Sequence, residues 1–150
     1  MIKVAASSPT EPQARALLEA SHALMGSLFP AEANHYLDIA ALEAPHIHFF
    51  TAREGDRTLG TGALSVQEGY GEVKSMFTAP EARGKGAGAA LLRMIEDEAR
   101  GLGLPLLRLE TGTGLDAAHR LYARHGYKRR GPFGDYPESE YSLFMEKRLD

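Results

Sequence analysis

Tyr70-Gly71-Glu72-Val73-Lys74-Ser75-Met76-Phe77-Thr78-Ala79-Pro80-Glu81-Ala82-Arg83-Gly84-Lys85-Gly86-Ala87-Gly88 is the stretch on which the fold turns. Its first nine residues read as an extended strand. Strict alternation would put Val73, Ser75 and Phe77 on one face and Glu72, Lys74, Met76 and Thr78 on the other. Pro80 stops the strand, because it has no N–H to donate. The run that follows has a glycine at every second position and opens a helix at residues 88–100, where Leu91, Leu92, Ile95 and Ala99 form one apolar stripe. Glycines at such a junction let consecutive N–H groups point into one concavity at a helix N-terminus, which is a phosphate-binding arrangement. Arg83 and Lys85 add two positive charges, which suits a diphosphate.

Other phosphate motifs fit this run poorly. A P-loop requires Ser or Thr after its lysine, and Lys85 is followed by Gly86. The dinucleotide fingerprint would need a glycine at residue 91 if it started at Gly86, and that place holds Leu91; a start at Gly84 puts Ala89 in the last slot without a parallel βαβ setting. A charged, flexible loop before a helix is the plainer alternative.

Upstream of the quoted stretch, residues 2–5 read as a short strand, 11–28 as a helix with Gly26 near its end, and 31–42 as a second helix closed by Pro45. Residues 47–52 and 58–66 then read as strands around a Glu54-Gly55-Asp56 turn, and a turn at Glu68-Gly69 leads into the strand already described. Downstream lie a strand at 106–111, a helix at 116–125 ending at Gly126, a strand at 127–133, a loop at 131–140 and a last strand at 141–147. The expected architecture is α/β: a mixed, mostly antiparallel central sheet with helices on both faces, in one domain spanning residues 1–150.

Two widely spaced segments together resemble the GNAT superfamily of acyl-CoA N-acyltransferases. One is the strand, Ala79-Pro80-Glu81-Ala82 and the Arg83-Gly84-Lys85-Gly86-Ala87-Gly88 run with Ala90-Leu91-Leu92; the other is Leu121-Tyr122-Ala123-Arg124-His125-Gly126-Tyr127. The resemblance implies that Met76, Phe77 and Thr78 contact the pantetheine arm through the strand backbone. It also implies that Arg83, Gly84, Lys85, Gly86, Ala87 and Gly88 hold the pyrophosphate of acetyl-CoA. An asparagine frequent in the family, three residues before the alanine at position 118, is replaced here by Leu115; Thr111 and Thr113 are candidates for its contact.

On this reading an amine attacks the thioester directly, so no protein nucleophile is needed and the absence of cysteine is no obstacle. Tyr122 is the candidate group facing the departing sulfur: a phenol with pKa ~10 against a thiol near ~8.5 favours a hydrogen bond to developing thiolate over full proton transfer. Plain packing of its ring on the sheet is the alternative role. Glu72 is the candidate base, with Glu110 its rival. An ordinary carboxylate near ~4.3 is a poor match for an ammonium near ~10, so the role requires burial, a water relay or an amine of low pKa. A structural ion pair is the alternative for both.

His46 and His48 alternate along one strand without an acidic third ligand, so no metal site is expected. The loop containing Phe133, Asp135 and Tyr136 is a candidate substrate lip. Seventeen basic against twenty acidic residues, a formal charge of -3, argue against nucleic acid and anionic membrane as partners. Neither a signal peptide nor an apolar span is visible, and a cytoplasmic location is expected. The expected partner is a small-molecule or peptide amine, with homodimerisation open. A non-catalytic acyl-CoA-binding module and a transferase of a longer acyl chain remain alternative readings.

Overall fold

The computed structural model describes residues Met1–Asp150. Strand β1 (Ile2–Ala6) is followed by helix α1 (Pro12–Leu28) and by an antiparallel meander of β2 (Ile47–Glu54), β3 (Arg57–Gln67) and β4 (Tyr70–Thr78). Helix α2 (Ala87–Gly101), β5 (Leu106–Gly112), α3 (Asp116–Arg124), β6 (Lys128–Arg130) and β7 (Ser142–Arg148) complete the chain. The seven strands form one sheet in the order β1-β2-β3-β4-β5-β7-β6, in which only the β4–β5 pair is parallel.

Neighbouring residues on the central strands point to opposite faces and build two cores. Phe49 and Ala63 pack with Ala14 and Leu18 of α1 and with Leu42. Phe50 and Leu64, one residue further along, pack with Val73, Leu107, Leu109 and the α2 stripe of Leu91, Leu92, Ile95 and Ala99. Helices thus cover both faces, as the alternation requires.

Helix ends follow local chemistry. At α1, Pro12 takes the first helical position and the Glu11 side chain accepts the Ala14 N–H at 2.9 Å. At α2, Gly103 adopts φ +77°, the Leu104 N–H reaches the Ala99 carbonyl and the Gly103 N–H reaches that of Arg100. This is a Schellman stop. The end of α3 repeats it at Gly126 (φ +90°), with the Tyr127 N–H bonded to the Tyr122 carbonyl.

Three expectations need correction. Residues 31–42 form no helix but two 3-10 turns, Ala31–Ala33 and Ala41–Glu43, separated by extended chain. Asp38 Oδ1 takes the Ala41 N–H at 2.7 Å and the Tyr36 ring stacks on His22 of α1 at 4.0 Å, so side-chain capping and tertiary contacts outcompete the helical period. The strand expected at 127–133 is only Lys128–Arg130, because Gly131-Pro132 turns the chain away and Phe133 buries itself in the sheet face. Finally, the alternation along β4 breaks at Ser75. Thr61 pairs with Phe77 but Ala63 with Lys74, so Gly62 faces two residues in a β-bulge. Beyond it the faces exchange: Met76 joins the α2 core instead of following Glu72 and Lys74.

Candidate active site

The bulge sits where the sheet opens. Pairing of β4 with β5 covers only Gly71, Val73 and Glu72 against Leu107, Leu109 and Arg108, and then ceases, leaving the β4 edge from Lys74 to Thr78 without a partner strand. Ser75 is the one non-glycine residue with positive φ, +56°, and its carbonyl is held by the buried Thr61 hydroxyl at 2.8 Å. Such a conformation costs about 1–2 kcal/mol outside glycine, and here the Thr61 bond and the β3 register fix it. The Ser75 hydroxyl itself is buried without a hydrogen-bond partner.

One end of this opening is basic. Gly86, in the left-handed region at φ +88°, caps α2 without any side-chain acceptor, and Gly84 also has positive φ, +84°. The N–H groups of Gly86, Ala87, Gly88 and Ala89 consequently have no acceptor in the chain and converge at the positive end of the helix. Gly88 matters for approach rather than torsion: a methyl group there would lie 3.1 Å from Leu121 Cδ2, where α2 meets α3. Lys85 is tied to Glu54 at 3.2 Å, and that bond together with the lysine's charge lowers the Glu54 pKa. The unpaired strand edge and the four free amides fit the pantetheine and pyrophosphate of an acyl-CoA.

The other end is a cleft of about 140 Å³ bordered by Lys74, Ser75, Glu110, Thr111, Leu115 and Tyr122, and also by Met25, Phe29 and the exposed Tyr36 and Tyr141. Tyr122 lies on α3 two residues before its end, and its ring meets Tyr127 edge-on at 5.8 Å. The Schellman stop creates that contact, so the packing role and the cleft-facing role belong to the same side chain. Burial, with the Glu110 charge adding to it, pushes the Tyr122 pKa upward, keeping the phenol a proton donor.

Glu110 borders the cleft. Burial raises its pKa, against the opposing pull of a 2.8 Å hydrogen bond from the Ser142 hydroxyl and of the Lys74 charge. Glu72 sits differently: 7% exposed, it does not border the cleft, and its Oε2 accepts the Tyr136 hydroxyl at 2.5 Å and lies 3.4 Å from Lys74 Nζ. Lys74 in turn donates to Tyr136 Oη at 2.8 Å and to the His35 carbonyl at 3.1 Å. The structure therefore brings Tyr122 and Glu110 to one cleft, while Glu72 is engaged by Lys74 and Tyr136. The 131–140 loop reaches the site through Tyr136, lying over the sheet face rather than standing as a lip. His48 pairs with Glu98 at 2.7 Å.

Sequence reasoning missed the strain at Ser75, the Ser142 bond and the aromatic border of the cleft. Phe29, Tyr36 and Tyr141 come from three separate segments, and no spacing rule joins them. The side-by-side placement of Glu72 and Lys74 was readable from their i, i+2 spacing.

Comparison with known proteins agrees with this geometry. The acetyltransferase (GNAT) family model matches residues 14–127. The chain is 45% identical over 150 residues to the IAA acetyltransferase of Azospirillum brasilense, covering 99% of this chain and 98% of that one. It is 37% identical over 143 residues to the uncharacterized N-acetyltransferase YedL of Escherichia coli K12, covering 93% and 90%. Among solved structures, one assigned as an acyl-CoA N-acyltransferase from Klebsiella pneumoniae superposes with a TM-score of 0.85 at 32% identity, covering 100% of this chain and 99% of that one. With the family model spanning most of its length and relatives matching it end to end, the chain belongs to the GNAT family and is an acyl-CoA-dependent N-acetyltransferase.

Proposed function

We propose that residues 1–150 act as one domain that moves the acetyl group of acetyl-CoA to a primary amine by direct attack. The amine nitrogen bonds the carbonyl carbon, the C–S bond breaks with its electron pair going to sulfur, and the proton lost from nitrogen balances the one gained by the thiol. Met76, Phe77 and Thr78 offer backbone groups to the pantetheine arm, and Arg83 to Gly88 hold the pyrophosphate. Tyr122 hydrogen-bonds the sulfur as it leaves. Glu110 receives the amine proton, a role favoured by a pKa moved toward that of the donor. Glu72, expected from sequence to be the base, is instead assigned the positioning of Lys74 and Tyr136.

The observation that carries this reading is that Glu110 and Tyr122 border one cleft at the point where β4 leaves β5. Purified protein, acetyl-CoA and a panel of primary amines provide the test, with free thiol as the readout. The expected result is amine-dependent thiol release, with kcat/KM rising with pH through an ionisation that Glu110→Gln abolishes and Glu72→Gln retains. An unaltered profile in Glu110→Gln would remove the assigned base, and absence of thiol release with every amine would remove the reaction.

A further inference from the structure

Lys74 and Glu110 border the same cleft with opposite charges and do not pair with each other. The lysine's ion-pair partner is Glu72 at 3.4 Å, and the glutamate's hydrogen bond comes from Ser142. They are nonetheless within electrostatic reach, since Lys74 acts to lower the Glu110 pKa. The ammonium is held in place: the Lys74 side chain is 10% exposed and is bonded to the His35 carbonyl and the Tyr136 hydroxyl. Lys74 is among the residues bordering the cleft and Glu72 is not, so the lysine is the member of the pair nearer the substrate space. A buried ion pair of this kind seldom adds net stability over apolar side chains, so stability alone gives no reason for it at this position.

Resting on the amine-transfer reading above, we propose that the acceptor is a small zwitterion, an amine carrying a carboxylate or a similar oxyanion. Its nitrogen lies toward Glu110 and its anionic group toward Lys74. The acceptor completes across the gap the charge pairing that the two side chains do not make. A cleft of about 140 Å³ accommodates a compact zwitterion, and Phe29, Asn34 and Tyr36 also line an adjoining depression of about 450 Å³. Asp38 lines the adjoining depression, and the Glu140 and Glu32 charges act on Tyr141, which borders the cleft; a zwitterion of zero net charge enters that field at less cost than a free anion.

The test compares matched acceptors on the unmodified protein: an ω-amino acid, its carboxamide, the corresponding aminoalkylphosphonate and a diamine of equal length, each with acetyl-CoA and thiol release as the readout. The acid and the phosphonate are expected to exceed the carboxamide in kcat/KM by about 10- to 100-fold, the value of one charge-assisted hydrogen bond in a desolvated site. Lys74→Met should bring that ratio close to one, chiefly through KM, and Lys74→Arg should restore part of it. A carboxamide or diamine used as well as the acid overturns the proposal, as does a ratio that survives Lys74→Met. Should that variant fold poorly, the acceptor series on the parent protein decides alone. Thiol release without preference for the anion sinks only the zwitterion; none with any amine sinks the transfer reading as well.

Discussion

Removing the phenolic oxygen of Tyr122 separates its two roles, because the edge-on contact with Tyr127 needs only the ring. Tyr122→Phe should lower kcat roughly 100-fold, in the range for losing one donor to developing charge, with coenzyme A affinity and melting temperature nearly unchanged. Steady-state kinetics beside a binding titration would show the split. Glu110 makes an opposite kind of statement. Its folded pKa is raised, so the native state binds more protons than the unfolded chain between the ordinary and the raised value, and stability falls as pH rises through that window. Glu110→Gln should therefore melt at a higher temperature than the parent at neutral pH, with the difference closing as pH drops to the ordinary carboxylate range near ~4. Thermal melts at several pH values check the sign. The place of Tyr122 at the cleft was legible from its helix motif, and that of Glu110 only as a rival to Glu72. Which carboxylate borders the cleft depends on Lys74, Tyr136 and Ser142, partners 2 to 64 residues distant in the chain.

Among the elements, the meander, α2 and both Schellman stops could be read from glycine placement and period. The bulge could not. Strict alternation is the default for a strand, and the extra residue at Ser75 comes from the β3 register and the Thr61 bond, neither of which leaves a mark in the local sequence. The absent second helix failed for a related reason, since the contacts that win at residues 34–38 are made to α1 and β4. Gly60 tests the tightness of this region. A methyl group there would stand 2.9 Å from the Phe77 backbone carbonyl, so Gly60→Ala must displace β4 itself. A loss of about 1–3 kcal/mol in denaturant unfolding is expected, accompanied by weaker coenzyme A binding because the displaced backbone belongs to the unpaired edge.

Across the whole molecule, charge is divided: Arg83 and Lys85 lie in the run that opens α2, while residues 29–46 and 131–141 carry carboxylates and no lysine or arginine. A ligand confined to the native state stabilises by mass action, by about 2.7 kcal/mol at one hundred times its dissociation constant. For a chain of 150 residues that should raise the melting temperature by roughly 5–10 °C with coenzyme A. Gly86→Ala, which forces a left-handed torsion on a side chain, should reduce that rise. Differential scanning with and without coenzyme A measures both.

The short parallel register between β4 and β5 gives the molecule an interrupted ladder: two hydrogen-bonded blocks, one built on the meander and one on the C-terminal strands, joined by three rungs. On the proposed binding mode, an extended, amide-bearing chain laid in the gap would supply further rungs. The continuity of the sheet then becomes a property of the loaded enzyme, and amide hydrogen exchange along residues 74–78 would slow when the donor arrives and quicken when the spent thiol departs.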